Sequence, residues 1–285
     1  AAVDALGPVA VESGGNSVAH AGVPTGTTAA SAVGIGINVL YAKAKGDFRA
    51  YIDVPEGMAL SAPGFSVKTT YRAAADAKGA QPAGGLQIDL SLLSVKSNVA
   101  FALADAYAEA GIRGAGSLNA TNGKDVDILV DGTATAESGF PGSTVAASAV
   151  SIAVNVAVSD VSGYQIAYLD GTDVTAQNVR VKSHFNDQKD AKNKPTEGAV
   201  ANVGNTRGGS ASLSIVGLDA SYAKARVTAY ATALFSGANA RIADMLAVET
   251  VANSYALAGV QQPSGSVSFI RGTVMVVDAN AGGYF

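Results

Sequence analysis

The chain repeats itself, and this internal repeat constrains its fold more than any other feature. Ser31–Asp53 aligns without a gap with Ser148–Asp170, and Gly85–Gly114 aligns in the same way with Gly208–Gly237. Because the two aligned pairs interleave, the repeating unit is half of either spacing, roughly 60 residues. Units of this length indicate an array in which each unit buries its apolar faces against its neighbours.

Proline followed closely by glycine marks the same unit. Because proline fixes φ and glycine permits positive φ, each such pair predicts a turn at one recurring corner. The prolines concerned are Pro24, Pro82, Pro141, Pro195 and Pro263. We therefore expect one repeat-built segment with units at 1–23 (partial), 24–81, 82–140, 141–194, 195–262 and 263–285 (partial). The partial units suggest a fragment of a longer array.

Strict alternation identifies the elements within a unit. Alanine occupies every second position of Val99–Ala110, and Tyr222–Leu234 gathers Tyr, Lys, Arg and Thr on one face. Alanine is the best helix former, but a helix would scatter these polar side chains around its circumference, whereas a strand places them on one side. We therefore interpret these segments as strands.

Each unit contains a long strand, a short turn segment and a second strand. In the first full unit these are Val33–Ile52, Met58–Ala59 and Phe65–Ala77. Corresponding strands of successive units must run in the same direction, and stacking at about 4.8 Å would satisfy their backbones. The sequence therefore predicts an all-β fold, a parallel β-solenoid (β-helix) with wide, flat coils of about 60 residues.

Composition narrows the possible functions. The chain carries a net charge of −4 without a basic block, which argues against nucleic-acid binding. With no cysteine and only two histidines, thiol chemistry, thiolate metal sites and multi-histidine metal sites are disfavoured, and we expect no cofactor. Val145–Val158, the longest apolar stretch, is interrupted by polar residues and is too short for a membrane span. We expect no membrane insertion in this segment, which should be monomeric within a longer chain.

A recurring motif resembles a known family. The motif is Ser-Ala-Val-x-Ile-x-Val-Asn-Val, then Ala-Tyr-Leu/Ile, then Val-x-Ala and Val-x-Val-Lys-Ser/Thr. It stands at Ser148–Val156, Ala167–Leu169, Val174–Ala176 and Val179–Ser183, with a second copy at Ser31–Val39, Ala50–Ile52 and Val67–Thr69. The motif resembles the β-strand repeats of very large bacterial surface adhesins of the leukotoxin-like and filamentous-haemagglutinin-like kind. That resemblance implies an exported stalk or binding passenger on the bacterial surface, without enzymatic activity.

Tyrosines form one candidate binding surface. We expect four of them to occupy equivalent outward positions near the ends of successive long strands: Tyr51, Tyr107, Tyr168 and Tyr230. A column of exposed tyrosines can bind sugar rings or a protein partner, because each ring has an apolar face and a polar tip. The same column can instead serve only to stiffen the stack.

A polar insertion is the second candidate. Residues 184–210 interrupt the repeat with His184, Asp187 and Lys189 among other polar residues. Insertions in repeats form protruding loops, which often lie on a binding face, although a solvated loop is the simpler interpretation. A third group is an acidic turn that either holds calcium or stays an exposed cluster, and it comprises Asn122, Asp125, Asp127 and Asp131.

The sequence therefore predicts a non-enzymatic structural or adhesive segment of an exported bacterial surface protein. The alternative is a specific binding module for a host glycan or a host protein such as an immunoglobulin. A polysaccharide-cleaving β-helix enzyme is a minor alternative, because the acidic residues are scattered along the chain rather than clustered.

Overall fold

Strands account for all the regular structure of the residues that the computed structural model describes. The model describes residues 1–22, 29–79, 87–121, 124–140, 144–189, 191–192, 195–203, 211–236, 239–260 and 267–284. The strands are β1 (Ala2–Asp4), β2 (Val9–Ala21), β3 (Ala29–Asp53), β4 (Ala59–Ala62), β5 (Phe65–Lys78), β6 (Gln87–Arg113), β7 (Ser117–Ala120), β8 (Val126–Phe140), β9 (Thr144–Asp170), β10 (Asp173–Phe185), β11 (Ala199–Val203), β12 (Ala211–Ser236), β13 (Ala240–Ala252), β14 (Ala256–Val260) and β15 (Val267–Tyr284). Within the ranges described, no helix is long and apolar enough to cross a membrane.

The strands form two parallel sheets. The long sheet has the order β15-β12-β9-β6-β3, and the second sheet, here called the short sheet, contains the other ten strands. Every ladder between named strands is parallel, and the one antiparallel bridge among the described residues joins Lys189 to Pro195. The prediction of an all-β chain with parallel sheets is therefore confirmed.

Equivalent residues of successive repeats pair directly across the long sheet. A serine column shows this register, because each member pairs with the next: Ser31, Ser91, Ser148, Ser214 and Ser268. The gap-free sequence alignment therefore corresponds to two strand steps in the sheet. Asn98 Nδ2 donates to Asn155 Oδ1 at 2.8 Å, and Asn38 Nδ2 donates to Asn98 Oδ1 at 2.9 Å, across sequence separations of 57 and 60.

Alanine lines the space between the two sheets. The even-numbered residues from Ala100 to Ala110 are buried, as are the odd-numbered residues of β12 from Ala223 to Ala231. Because the interior is thin, hydroxyl groups reach from one sheet to the other: Thr69 Oγ1 donates to the Glu109 carbonyl at 2.7 Å. The alternation predicted for both segments is confirmed, and its alanine face points inward.

One predicted unit boundary differs from the strand pairing. β11 pairs with β8 and β14 in the same sheet as β10, so the boundary drawn between 194 and 195 falls between two strands of one repeat. Pro195 belongs to a hairpin rather than to the recurring corner. The other four prolines of the turn pattern lie outside the described residues.

The first part of each long strand is not covered by the short sheet. Between Ala147 and Val156 of the central strand β9, every residue is partly or fully exposed, whereas Ala157 is fully buried. We name this part the overhang and define it as residues 33–39 of β3 with their register partners on β6, β9, β12 and β15. Among the described residues, no second sheet lies opposite the overhang, whereas the rest of the long sheet is one half of a two-layer core.

A larger side chain at a core alanine tests the thin interior. We expect Ala104→Leu, at a position 1% exposed, to lower the free energy of unfolding by about 1–3 kcal/mol, because the added atoms force the sheets apart. Ala153→Leu in the half-exposed overhang is the matched control, and it should change the free energy by less than about 0.5 kcal/mol. Urea unfolding measures both; equal effects would contradict the two-layer core.

Candidate functional site

Three tyrosines stack on the outer face of the long sheet. Tyr107 pairs with Tyr164, and Tyr164 pairs with Tyr230. Their ring centroids lie 5.4 Å and 4.7 Å apart, with interplanar angles of 7° and 1°. The guanidinium of Arg49 lies 4.6 Å from the Tyr107 centroid. Because the rings face one another, the surfaces on which a sugar would stack are already in contact, and the column presents ring edges and hydroxyl groups to solvent.

Two of the predicted tyrosines occupy a different position. Tyr51 and Tyr168 both align with Gly111 of β6. Tyr51 is 42% exposed, but Tyr168 is only 7% exposed because its ring lies over Gly111, whose missing side chain leaves the space. The prediction that Tyr51, Tyr107, Tyr168 and Tyr230 form one column is therefore wrong for Tyr51 and Tyr168, whereas Tyr107 and Tyr230 do share a column, through Tyr164. The strand β9 carries tyrosine at two outward positions, and without the register the sequence alignment selected the wrong one.

A buried carboxylate holds the two tyrosine positions together. Glu109 is 8% exposed and accepts hydrogen bonds from the Tyr168 hydroxyl at 2.5 Å and the Tyr107 hydroxyl at 3.2 Å. Burial raises the pKa of the Tyr168 hydroxyl, and its hydrogen bond to Glu109 adds to the effect. Arg113 lies 4.0 Å from the same carboxylate. Because its members bond to one another, this network acts to fix the outer face of the long sheet.

The predicted insertion 184–210 is only partly a loop: it contains the end of β10, a hairpin beside the short sheet and β11, and residues 204–210 lie outside the described residues. We use the name hairpin for the segment 187–198 between β10 and β11, of which the structure describes residues 187–189, 191–192 and 195–198. Within it, Lys189 and Pro195 form an antiparallel bridge, and the Thr196 amide donates to the Gln188 carbonyl at 3.2 Å. Asp187 and Lys189 are exposed, and Asp187 Oδ1 accepts a hydrogen bond from Asn253 at 3.3 Å.

An asparagine closes the ladder where the hairpin leaves the sheet. Asn186 is fully buried and has a φ of 50°, a left-handed conformation that asparagine tolerates. Its Oδ1 accepts from the Ala134 amide at 2.7 Å, and its Nδ2 donates to the Ala134 carbonyl at 3.1 Å. The side-chain amide thereby replaces the peptide group that an uninterrupted strand would offer. Sequence analysis missed this residue, although asparagine directly after a strand and before a polar insertion is a usable signal.

A group of polar residues lies on the outer face of the short sheet, beside the hairpin. His184 pairs with Asp131, and Asp131 pairs with Thr70. The charges of Arg72 and Asp131 both act on Glu197, which places this hairpin residue near them. We name these five residues the polar cluster. It brings the predicted His184 together with residues that the sequence did not connect to it, but it does not include Asp187 or Lys189.

Two members of the polar cluster hold polar atoms without a hydrogen-bond partner in the described structure. They are His184 Nε2 and Glu197 Oε2, both shielded from solvent. Burial raises the pKa of Glu197, while Arg72 opposes and Asp131 reinforces the effect. A hydroxylated or peptide ligand could supply the missing partners, since the cluster offers both donors and acceptors. No group of three or more His, Asp or Glu side chains in the described part of the chain is placed to hold a metal ion.

Two carboxylates of the acidic turn, Asp125 and Asp127, form ion pairs with Arg180. Arg180 Nη1 lies 2.8 Å from Asp125 and 3.0 Å from Asp127. Hydrogen bonds from Asn178 and Arg180 hold the pKa of Asp125 below its ordinary value. Asp131 belongs to the polar cluster instead, and Asn122 lies outside the described residues. These carboxylates are therefore ion-paired along the sheet rather than directed at a common point.

Protein-family models, curated proteins and solved structures give no match to this chain. The similarity to adhesin repeats therefore rests on the motifs alone.

Filling the space under Tyr168 tests the tyrosine and glutamate network. A Cβ at Gly111 would lie 2.3 Å from the Tyr168 ring, so Gly111→Ala should displace the ring and lower the free energy of unfolding by about 1–3 kcal/mol. At Gly36 in the same sheet, an added Cβ meets nothing within 4 Å. Gly36→Ala is therefore expected to leave urea stability almost unchanged. Similar losses for both variants would contradict the packing described.

The raised pKa of Glu197 predicts a pH-dependent hairpin. Because folding favours the protonated carboxyl, its contribution to stability is complete below the ordinary glutamate pKa of 4.5 and is lost as the pH rises through the raised folded-state pKa. We expect the Thr196 amide to exchange hydrogen more readily across this rise, after correction for intrinsic rates. Glu197→Gln should abolish the change, whereas Asp187→Asn at an exposed position should retain it. An identical profile in Glu197→Gln would disprove the assignment.

Proposed function

We propose that this chain is a non-enzymatic stalk segment of an exported bacterial surface adhesin, built as a parallel β-solenoid with wide, flat coils of about 60 residues. The observation that carries the proposal is the continuous register of the long sheet. Residues paired across the long sheet, such as the serine column, lie 60, 57, 66 and 54 residues apart in sequence at successive steps. One stacked coil per repeat accounts for these separations.

The order of the strands supports winding. The chain passes from β3 of the long sheet through β4 and β5 of the short sheet to β6 of the long sheet. The same passage, through two strands of the short sheet, connects β6 to β9, β9 to β12 and β12 to β15. Glycines with positive φ lie where two long strands end: Gly114 has a φ of 117° and Gly171 a φ of 71°. The Gly114 amide donates to the Asp170 carbonyl, so one corner stacks on the next.

Stacked coils suit a role in extension. Each coil adds about 4.8 Å along the axis, and its backbone groups bond to the coils on either side. Ion pairs between neighbouring strands, such as Arg113 with Asp53 and Lys182 with Glu249, strengthen the outer faces. Identical repeats can therefore lengthen the structure without changing its cross-section, which is what a stalk needs.

A second candidate function is recognition of a host glycan or a host protein, such as an immunoglobulin, at the polar cluster. The specific observation is the pair of unpartnered buried atoms, His184 Nε2 and Glu197 Oε2. The hairpin is also special to one repeat, because the next repeat connects β13 to β14 through Asn253–Tyr255 alone. A feature that stacking does not require is a reasonable place for binding.

The next repeat contains a short connection between β13 and β14 that can replace the hairpin in a test of both functions. Phe185 pairs with Ala252, and Ala199 pairs with Ala256, so Asn186 corresponds to Asn253. We expect replacement of the hairpin by the dipeptide Ser-Tyr of positions 254–255 to leave a folded protein with a free energy of unfolding within about 1 kcal/mol of the original. Circular dichroism and urea unfolding measure this. An unfolded product would contradict the stacked register on which the stalk depends.

Glycan and serum-protein arrays then separate the candidates. If the chain has the recognition function, the original protein binds at least one arrayed glycan or serum protein. The hairpin replacement and the folded double variant His184→Ala, Glu197→Gln then bind the same ligand with an affinity at least about tenfold lower. Binding that survives both variants would exclude the polar cluster. Cleavage of any polysaccharide by the purified chain would contradict both functions and favour an enzyme.

A further inference from the structure

The apolar face of the long sheet changes sides along each strand. Where the short sheet covers β3, the inward residues Leu40 and Ala42 are buried. In the overhang, the apolar residues occupy the alternate positions and face away from the short sheet, and Ile35 and Ile37 are 71% and 69% exposed. Because side chains alternate strictly along a strand, this change is a change in sequence pattern and not a twist of the backbone.

All five long strands show the same inversion. The outward positions of the overhang hold Val, Ile or Leu almost throughout, and the exceptions are Ser97, Ala220, Tyr222 and Gly272. We name this surface the apolar face. Its members, in register order, are Val33, Leu93, Val150, Val216 and Ile270; Ile35, Val95, Ile152, Leu218 and Gly272; Ile37, Ser97, Val154, Ala220 and Val274; and Val39, Val99, Val156, Tyr222 and Val276.

The opposite face of the overhang is mostly small or polar, with Met275 as its one large apolar side chain. It carries the asparagine ladder of Asn38, Asn98 and Asn155, together with Lys96 and Asp219 in a neighbouring column. The charged residues of the overhang, Lys96, Asp219 and Arg271, therefore all lie on this side of the sheet. An uncharged surface of branched aliphatic side chains on the other side is the composition of a sheet interior rather than of a solvated face.

The size of the apolar face indicates what it can bind. Five strands at about 4.8 Å and four outward residues at about 6.6 Å give roughly 24 by 26 Å, or about 600 Å². This equals the largest apolar patches of ordinary monomers, about 300–600 Å². It also approaches the roughly 800 Å² per partner of a standard interface. Tyr41 and Phe101, at the next outward position, extend the face towards that area.

We propose that the apolar face is a self-association surface, through which two copies of this chain pack their long sheets face to face. The partner is a second copy because an uncharged aliphatic face offers no electrostatic preference for a different protein, whereas an identical face matches it in width, length and polarity. A two-fold axis near the central strand β9 makes the contact isologous and closed. The sheets would lie about 10 Å apart with interdigitated side chains, as in a β-sandwich. This inference does not depend on the stalk proposal, and it departs from the monomer that the sequence led us to expect.

Sedimentation equilibrium of the purified chain tests the dimer. We expect a monomer–dimer equilibrium in the micromolar range. Ile152→Glu places a charge at the centre of the apolar face and should weaken association by at least about 100-fold, because a buried charge without a partner is costly. The matched control, Ala153→Glu, places the same charge on the opposite face of the same strand and should retain the dimer. Circular dichroism verifies folding, and Val154→Lys replaces Ile152→Glu if that variant does not fold.

A spin label distinguishes face-to-face packing from other associations. The chain has no cysteine, so Ser97→Cys carries a single label within the apolar face, and we expect a distance of about 25 Å or less between the two labels of a dimer. A monomer at 100 µM would overturn the proposal. So would an open series of oligomers, which indicates pairing of strand edges, or equal weakening by Glu at 152 and 153. A monomer that floats with phosphatidylcholine vesicles and loses this property in Ile152→Glu would assign the face to lipid instead.

Discussion

The rest of the structure depends on the in-register hydrogen bonding of parallel strands. A parallel ladder fixes each residue above its counterpart in the previous repeat, so a side chain that fits once must fit at every step. Alanine satisfies this condition between two close sheets, because it adds little volume and no unpaired polar group. Asparagine satisfies it in the overhang, where each side-chain amide bonds to the next. The repeat in the sequence is the consequence of this geometric requirement.

The interruptions of the register carry the features that repetition cannot produce. At the hairpin, Phe185 pairs with Gly132 of β8, and the next paired residue of the same segment, Ala199, pairs with Ala136. Four residues of β8 therefore correspond to fourteen residues of the segment that contains the hairpin. Asn186 restores the missing peptide contacts, which allows a polar loop to leave a parallel sheet without breaking it. The polar cluster arises at this point because the returning strand brings Glu197 near the outward residues of the neighbouring strands. The polar cluster therefore lies at a described place where one repeat departs from its neighbours.

Much of the fold could be predicted from the sequence because its period is visible there. The strand expected at Val33–Ile52 lies within β3, and the alternation of Val99–Ala110 correctly separates a buried face from an exposed one. The prediction of the tyrosine column was wrong at β9 because Tyr164 and Tyr168 both point outward, and only the register shows that Tyr164 pairs with Tyr107. The inversion in the overhang and the grouping of Glu197 with Asp131 were not predictable, since alternation alone does not show which face a second sheet covers or where a loop returns.

Pulsed electron–electron double resonance between spin labels at opposite edges of the long sheet tests the parallel register most directly. Lys43 and Asn280 are exposed members of one outward column that crosses all five long strands, and the absence of native cysteine allows Lys43→Cys and Asn280→Cys to be labelled alone. Four strand steps predict about 19 Å between their Cα atoms, in samples diluted with unlabelled protein. A broad distribution, or a distance beyond about 30 Å, would contradict the stacking of successive repeats in a single parallel sheet.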